Sequence, residues 1–124
     1  SVNHDMKLMR EETFGPVMPV MAYRDTDEAV ALANDSDYGL SAGVFAGSLD
    51  EAEAVALQID AGAVSLNDAA LTGLFYEAEK QSFKASGLGA SRMGPSGYQR
   101  FLRKKALIAQ TGRPAPIAAF GEDA

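Results

Sequence analysis

Apolar and polar positions along the chain repeat one pattern. A short run of Val, Met and Ala over Pro16–Tyr23 leads into the charged stretch Arg24–Asp27, and then Ala29, Val30, Leu32 and Ala33 follow at helical spacing. The run predicts a buried strand, and Pro16 and Pro19 place it at a sheet edge or give it an irregularly paired start. Asp25-Thr26-Asp27-Glu28 supplies a helix start whose acidic first turn suits the helix dipole, and that helix is expected to end between Asn34 and Gly39. The pattern then recurs. Ala42–Ala46 predicts a small strand, Ser48-Leu49-Asp50-Glu51 reads as a capping box, and Ala52, Val55, Ala56 and Ile59 form a helical stripe. Gly62 stands where a C-terminal glycine cap is expected, and Ala63–Leu66 predicts a third strand.

Strands alternating with helices across short connections predict an α/β fold, three layers with parallel strands covered by helices. Three strands are few for such a domain, because parallel sheets are covered on both faces and are usually wider. The pattern therefore reads as part of a larger sheet. After Asn67 no period is evident up to Gly97, and Gly73, Gly87, Gly89, Gly94 and Gly97 punctuate the stretch. A segment of that length without regular structure is usually functional or poorly ordered. Tyr98, Phe101 and Leu102 return to helical spacing, Ala106–Ala109 suits an extended segment, and residues 112–124 read as a mobile tail.

Composition narrows the chemistry. Apolar residues make up 47% and charged residues 23% of the 124, ordinary values for a globular protein, and no apolar run is long enough to span a bilayer. Cys is absent, which excludes disulfides, thiolate metal sites and a thiol nucleophile within this chain, and which fits a cytoplasmic location. The first residue is Ser rather than Met, so the chain is expected to be cut from something longer. The net charge of −6 is unevenly spread: residues 80–113 hold eight bases and no acid. The expected origin is the solvated face of a C-terminal helix. Arg100, Arg103, Lys104 and Lys105 have neither interleaved aromatics nor a groove-reading motif, and no nucleic-acid partner is expected. His4, the sole His, sits among polar neighbours and is expected at the surface. Gly87-Leu88-Gly89 lacks the third glycine of a dinucleotide loop and follows no strand.

Residues 12–16 read Glu-Thr-Phe-Gly-Pro. Pro16 pushes Gly15 toward extended geometry, and a carboxylate and a ring two residues apart on an extended segment face the same side. Glu12 and Phe14 could thus meet a sugar–heterocycle ligand, but taken alone the pair reads first as a surface acid beside a core aromatic ahead of a strand.

The order of motifs is more specific than any one of them. E-E-T-F-G-P-V, an apolar run, a D-x-D-E-A helix start, N-D-S-D-Y-G-L-S-A-G-V-F, A-G-A-V-S-L-N-D and F-K-A-S-G-L-G together resemble the aldehyde dehydrogenase superfamily over about residues 4–110. The resemblance implies that residues 1–111 are the C-terminal part of the catalytic domain. It implies that Glu12 hydrogen-bonds ribose hydroxyls beside nicotinamide and that Phe14 packs on the same portion of NAD or NADP. Asn67 matches the Asn closing a strand ahead of the substrate tunnel, with Leu71, Leu74, Phe75 and Tyr76 as tunnel candidates. Many members carry P-F-G-G ahead of the K-x-S-G element, whereas this chain reads Glu79-Lys80-Gln81-Ser82-Phe83.

Family members oxidise an aldehyde to a carboxylic acid through a thiohemiacetal on a Cys, pass hydride to NAD or NADP, and release the acid with water activated by a Glu base. Both residues lie upstream of E-x-F-G-P, so this segment alone is expected to be inactive. The resemblance also implies a homo-oligomer, with residues 105–110 as an intersubunit strand. No metal, membrane or nucleic-acid role is implied. The alternative is a stand-alone binding or assembly module using the same fold without chemistry.

Overall fold

The structure, a computed structural model, describes residues 2–90, 93–114 and 116. Its centre is the repeat read from the sequence. Strand β2 (Ala42–Val44), helix α3 (Leu49–Ala56) and strand β3 (Val64–Leu66) form a βαβ unit. The strands run parallel, with Ala42 opposite Val64, Gly43 opposite Ser65 and Val44 opposite Leu66. Helix α3 starts as its sequence dictates: Ser48 Oγ accepts from the Glu51 N–H, and the Glu51 carboxylate accepts from the Ser48 N–H at 3.1 Å. Such a cap is worth about 1 kcal/mol. Ala52 on α3 and Ser65 on β3 are fully covered where helix meets strands.

Helix α2 (Thr26–Asn34) begins at Asp25, whose carboxylate accepts from the Glu28 N–H at 2.9 Å. Its last residue, Asn34, joins it to the crossover: the carboxamide donates to the Gln58 carbonyl at 2.8 Å and accepts from the Asp60 N–H at 2.7 Å. The α/β class holds, and a short antiparallel pair accompanies the parallel one. Strand β1 (Tyr38–Gly39) pairs with β4 (Phe83–Lys84). Three short helical turns complete the chain: α1 (Lys7–Arg10), α4 (Leu71–Leu74) and α5 (Gly94–Gln99).

Several expectations change. Residues 16–23 form no strand, and Met18, Val20 and Tyr23 are exposed. A strand needs a neighbouring backbone to bond, and residues 12–23 have none among the described residues. Gly62 does not cap α3, which closes at Leu57 in ordinary helical geometry. Instead the Gly62 N–H donates to Gly39 and its carbonyl accepts from Gln81, so closely that a Cβ there would collide with the Gln81 carbonyl. Finally, residues 67–97 are not structureless, since α4, β4 and the start of α5 lie within them, bonded to distant segments rather than patterned by period. The expected extended segment 105–110 has no secondary structure and is exposed. Of the expected tail, 115 and 117–124 lie outside the described residues.

Candidate functional site

The segment carrying Glu12 and Phe14 is held at its upstream end by three side chains. Arg10 on α1 grips Asp35, just past α2, through two parallel bonds, Nη1 to Oδ2 at 2.7 Å and Nη2 to Oδ1 at 3.1 Å. His4 Nε2 lies 2.9 Å from the same Oδ2. His4, expected at the surface, is partly buried there, its side chain 17% exposed. The Arg10 hydrogen bond, more than its charge, holds the Asp35 carboxyl below the usual carboxylate range. This clasp fixes α1 against the end of α2 and leads the chain into residues 11 and 12.

Glu12 borders a cleft of about 610 Å³ with Met9, Tyr38, Ser41, Ile59 and Ser86 among its walls. Phe14 lies outside it, 94% exposed. Neither side chain has a hydrogen-bond or ion-pair partner among the described residues. The carboxylate and the ring are thus free to meet something outside the chain.

Against β3 lies a second cavity of about 500 Å³, walled by Leu49, Val64, Leu66, Leu71, Phe75 and neighbours. It brings two of the four apolar tunnel candidates together, Leu71 and Phe75. Leu74 and Tyr76 are exposed and do not line it. Asn67 lies outside it as well. Its backbone is left-handed (φ 51°), a conformation Asn tolerates better than most residues, and its Oδ1 accepts from the Ala46 N–H at 2.7 Å, joining the ends of β2 and β3. Asp68 then caps α4 by accepting from the Ala70 and Leu71 N–H groups at 2.6 and 3.1 Å.

The K-x-S-G element borders the first cavity through Ala85 and Ser86. Ser86 Oγ accepts from the Gly39 N–H at 2.9 Å, and the Lys84 ammonium reaches both the Asn34 carbonyl at 2.8 Å and Asp60 Oδ2 at 3.1 Å. Lys84 has φ 50°, strained for a long side chain, and these two contacts hold it there.

Two features escaped the sequence. The Arg10–Asp35 clasp joins residues far apart in sequence, so no local pattern marks it. Lys80 is buried in the wall of the second cavity, and the one signal was the departure from P-F-G-G at Glu79–Phe83. No group of three or more His, Cys, Asp or Glu capable of holding a metal is found among the described residues.

The model of the aldehyde dehydrogenase family matches residues 1–107. A 3-succinoylsemialdehyde-pyridine dehydrogenase of a Pseudomonas species is 46% identical over 112 residues, 90% of this chain and 23% of that protein. Among solved structures, the Anabaena variabilis protein PutA, assigned as an aldehyde dehydrogenase, superposes with a TM-score of 0.84 at 59% identity, covering 94% of this chain and 25% of that one. A Mycobacterium tuberculosis aldehyde dehydrogenase complexed with NAD+ does so with a TM-score of 0.82 at 30% identity, over 92% and 23%. The chain thus spans about a quarter of the length of the relatives it matches.

Proposed function

From the premise that this chain belongs to the aldehyde dehydrogenase family, we propose that it forms one wall of the active site of an NAD(P)-dependent aldehyde dehydrogenase. The whole protein oxidises an aldehyde to a carboxylic acid, and the nucleophilic Cys and the base come from outside these 124 residues. The observation that carries this reading is the E-x-F-G-P pair in its setting. Glu12 offers an unpartnered carboxylate and Phe14 an almost wholly exposed ring. Those groups suit ribose hydroxyls and the adjoining face of a nicotinamide cofactor, so the residues present fit NAD or NADP. Bound there, the cofactor would supply the hydride acceptor.

The chain's own contribution is positional. Glu12 accepts hydrogen bonds from two ribose hydroxyls and so fixes the sugar, and Phe14 covers its apolar side and excludes water. The Arg10–Asp35 clasp keeps the upstream end of that segment in register with the cleft. Leu71 and Phe75 border the aldehyde, with Asn67, Leu74 and Tyr76 completing the tunnel against the rest of the protein. Residues 105–110 are exposed, and among the described residues their backbone has no partner; we assign them to a strand pairing with a second subunit, which makes the enzyme a homo-oligomer. No helix of the described residues is long and apolar enough to cross a membrane.

The test is Glu12→Gln in the full-length protein. Replacing a charged acceptor by a neutral one should slow hydride transfer and weaken cofactor binding by about tenfold, read from single-turnover formation of reduced cofactor and from cofactor titration. Unchanged values for both would remove Glu12 from the cofactor site.

A further inference from the structure

Lys80 is a cation taken out of water without a counter-charge. Its residue is 9% exposed, and its ammonium donates to the carbonyl of Thr72. An ammonium has three donors, and no carboxylate lies within ion-pair distance of this one among the described residues. The adjacent acid does not serve, because Glu79 Oε1 is turned toward α5 and accepts from the Ser96 N–H at 2.9 Å. Burying a charge is costly unless it is paired, so an unpaired buried ammonium marks a place for an anion. Lys80 also lines the 500 Å³ cavity, whose other walls include Leu66, Leu71 and Phe75. The cavity is largely apolar along its sides; its two charged lining residues are Glu79, whose Oε1 is taken by the Ser96 N–H, and Lys80, and such a wall selects a ligand of matching form.

We propose that Lys80 is a specificity residue that holds a carboxylate at the far end of an aldehyde, whose apolar stem lies against Leu71 and Phe75. The substrate class is thus an ω-carboxy aldehyde. This rests on the reading of the loop after Asn67 as the substrate wall. Lys80 takes no part in bond making; it forms an ion pair with the distal carboxylate, keeps its bond to Thr72, and lets the carbonyl end reach the nucleophile. A neutral aldehyde of the same length leaves the ammonium unpaired and binds less well.

The experiment compares 4-oxobutanoate with butanal, equal in carbon count and differing in the terminal carboxylate, on the full-length enzyme. Wild type should favour 4-oxobutanoate in kcat/KM. Lys80→Met should lose roughly tenfold to a hundredfold on 4-oxobutanoate, mainly through KM, with no matching loss on butanal, so that the preference for the carboxylate disappears. Lys80→Arg should restore most of the preference. Equal use of both aldehydes by wild type, or parallel loss on both in Lys80→Met, overturns the proposal and leaves the aldehyde dehydrogenase reading standing. Failure of wild type to reduce NAD or NADP with any of a panel of neutral and acidic aldehydes overturns both. The wild-type comparison decides the matter even if Lys80→Met proves unstable.

Discussion

Separated from the rest of the protein, these 124 residues should not persist as a folded monomer. The chain has 10250 Å² of accessible surface at 13.0 kDa. A folded monomer of that mass exposes about 6,300 Å², so roughly 3,900 Å² is in excess. One side of an ordinary protein–protein interface covers about 800 Å², and the excess equals nearly five of these. Part of it is the irregular stretch 103–114. The remainder includes Val17, Met18 and Val20 ahead of α2, Leu57 after α3, and Leu88 beyond β4, all exposed. The fully covered apolar core, by contrast, is Ala52. Both short strand pairs also have open edges, which invite pairing between copies. The purified segment should therefore self-associate or lose fixed packing. Light scattering behind size exclusion, over roughly a hundredfold range of concentration, should give masses above the monomer that rise with concentration. Dye binding to exposed apolar surface should be strong and near-ultraviolet dichroism weak. A monomeric mass throughout, with sharp cooperative unfolding, would refute the reasoning.

Two substitutions probe the packing and the clasp. Gly62→Ala places a methyl group into the Gln81 carbonyl and should destabilise the full-length protein by at least about 1–3 kcal/mol, whereas Gly73→Ala, with nothing within 4 Å, should be tolerated; chemical denaturation of both variants decides, and equal midpoints would contradict the close approach at Gly62. Because the Asp35 carboxyl is held below its ordinary 3.8, first by the Arg10 hydrogen bond, the clasp's contribution is complete above 3.8 and is lost as pH falls through the lowered value. Amide protection of residues 5–11 should thus be flat between about pH 8 and 5, decline in acid, and start lower without that decline in Asp35→Asn; a fall between about pH 8 and 5 would contradict it.

The parts of the fold legible in the sequence were those that local chemistry decides. The Asp25 and Ser48 caps, the stripe through Ala52 and Val55, and the parallel run at Val64–Leu66 depend on near neighbours, and the structure has each of them. What was not legible depends on distance along the chain. The β1–β4 pair has two residues on each side, too few for any alternation to show. Gly62 carried the right residue type for a cap, but its use is the close approach of Gln81, which a spacing rule does not see. Pro16–Tyr23 had the apolar content of a strand yet forms none, because content does not supply a bonding neighbour. For the site, the family motif located Glu12 and Phe14. The clasp behind them and the burial of Lys80 are tertiary facts with no local signature.

The pairing of Tyr38 with Lys84 and of Gly39 with Phe83 shuts everything between them into a closed loop, inside which β2 and β3 pair as well. The covalent link across residues 75–78 is therefore not what keeps either side in place. Upstream of it lie β1, β2, α3 and β3; downstream lies β4, held to them by its ladder, by the Gly62–Gln81 hydrogen bond and by the Lys84–Asp60 ion pair. A cut in the chain at residues 75–78 should therefore leave the two sides joined by these contacts, to which the bond from the Gly94 N–H to the Tyr76 carbonyl adds one more.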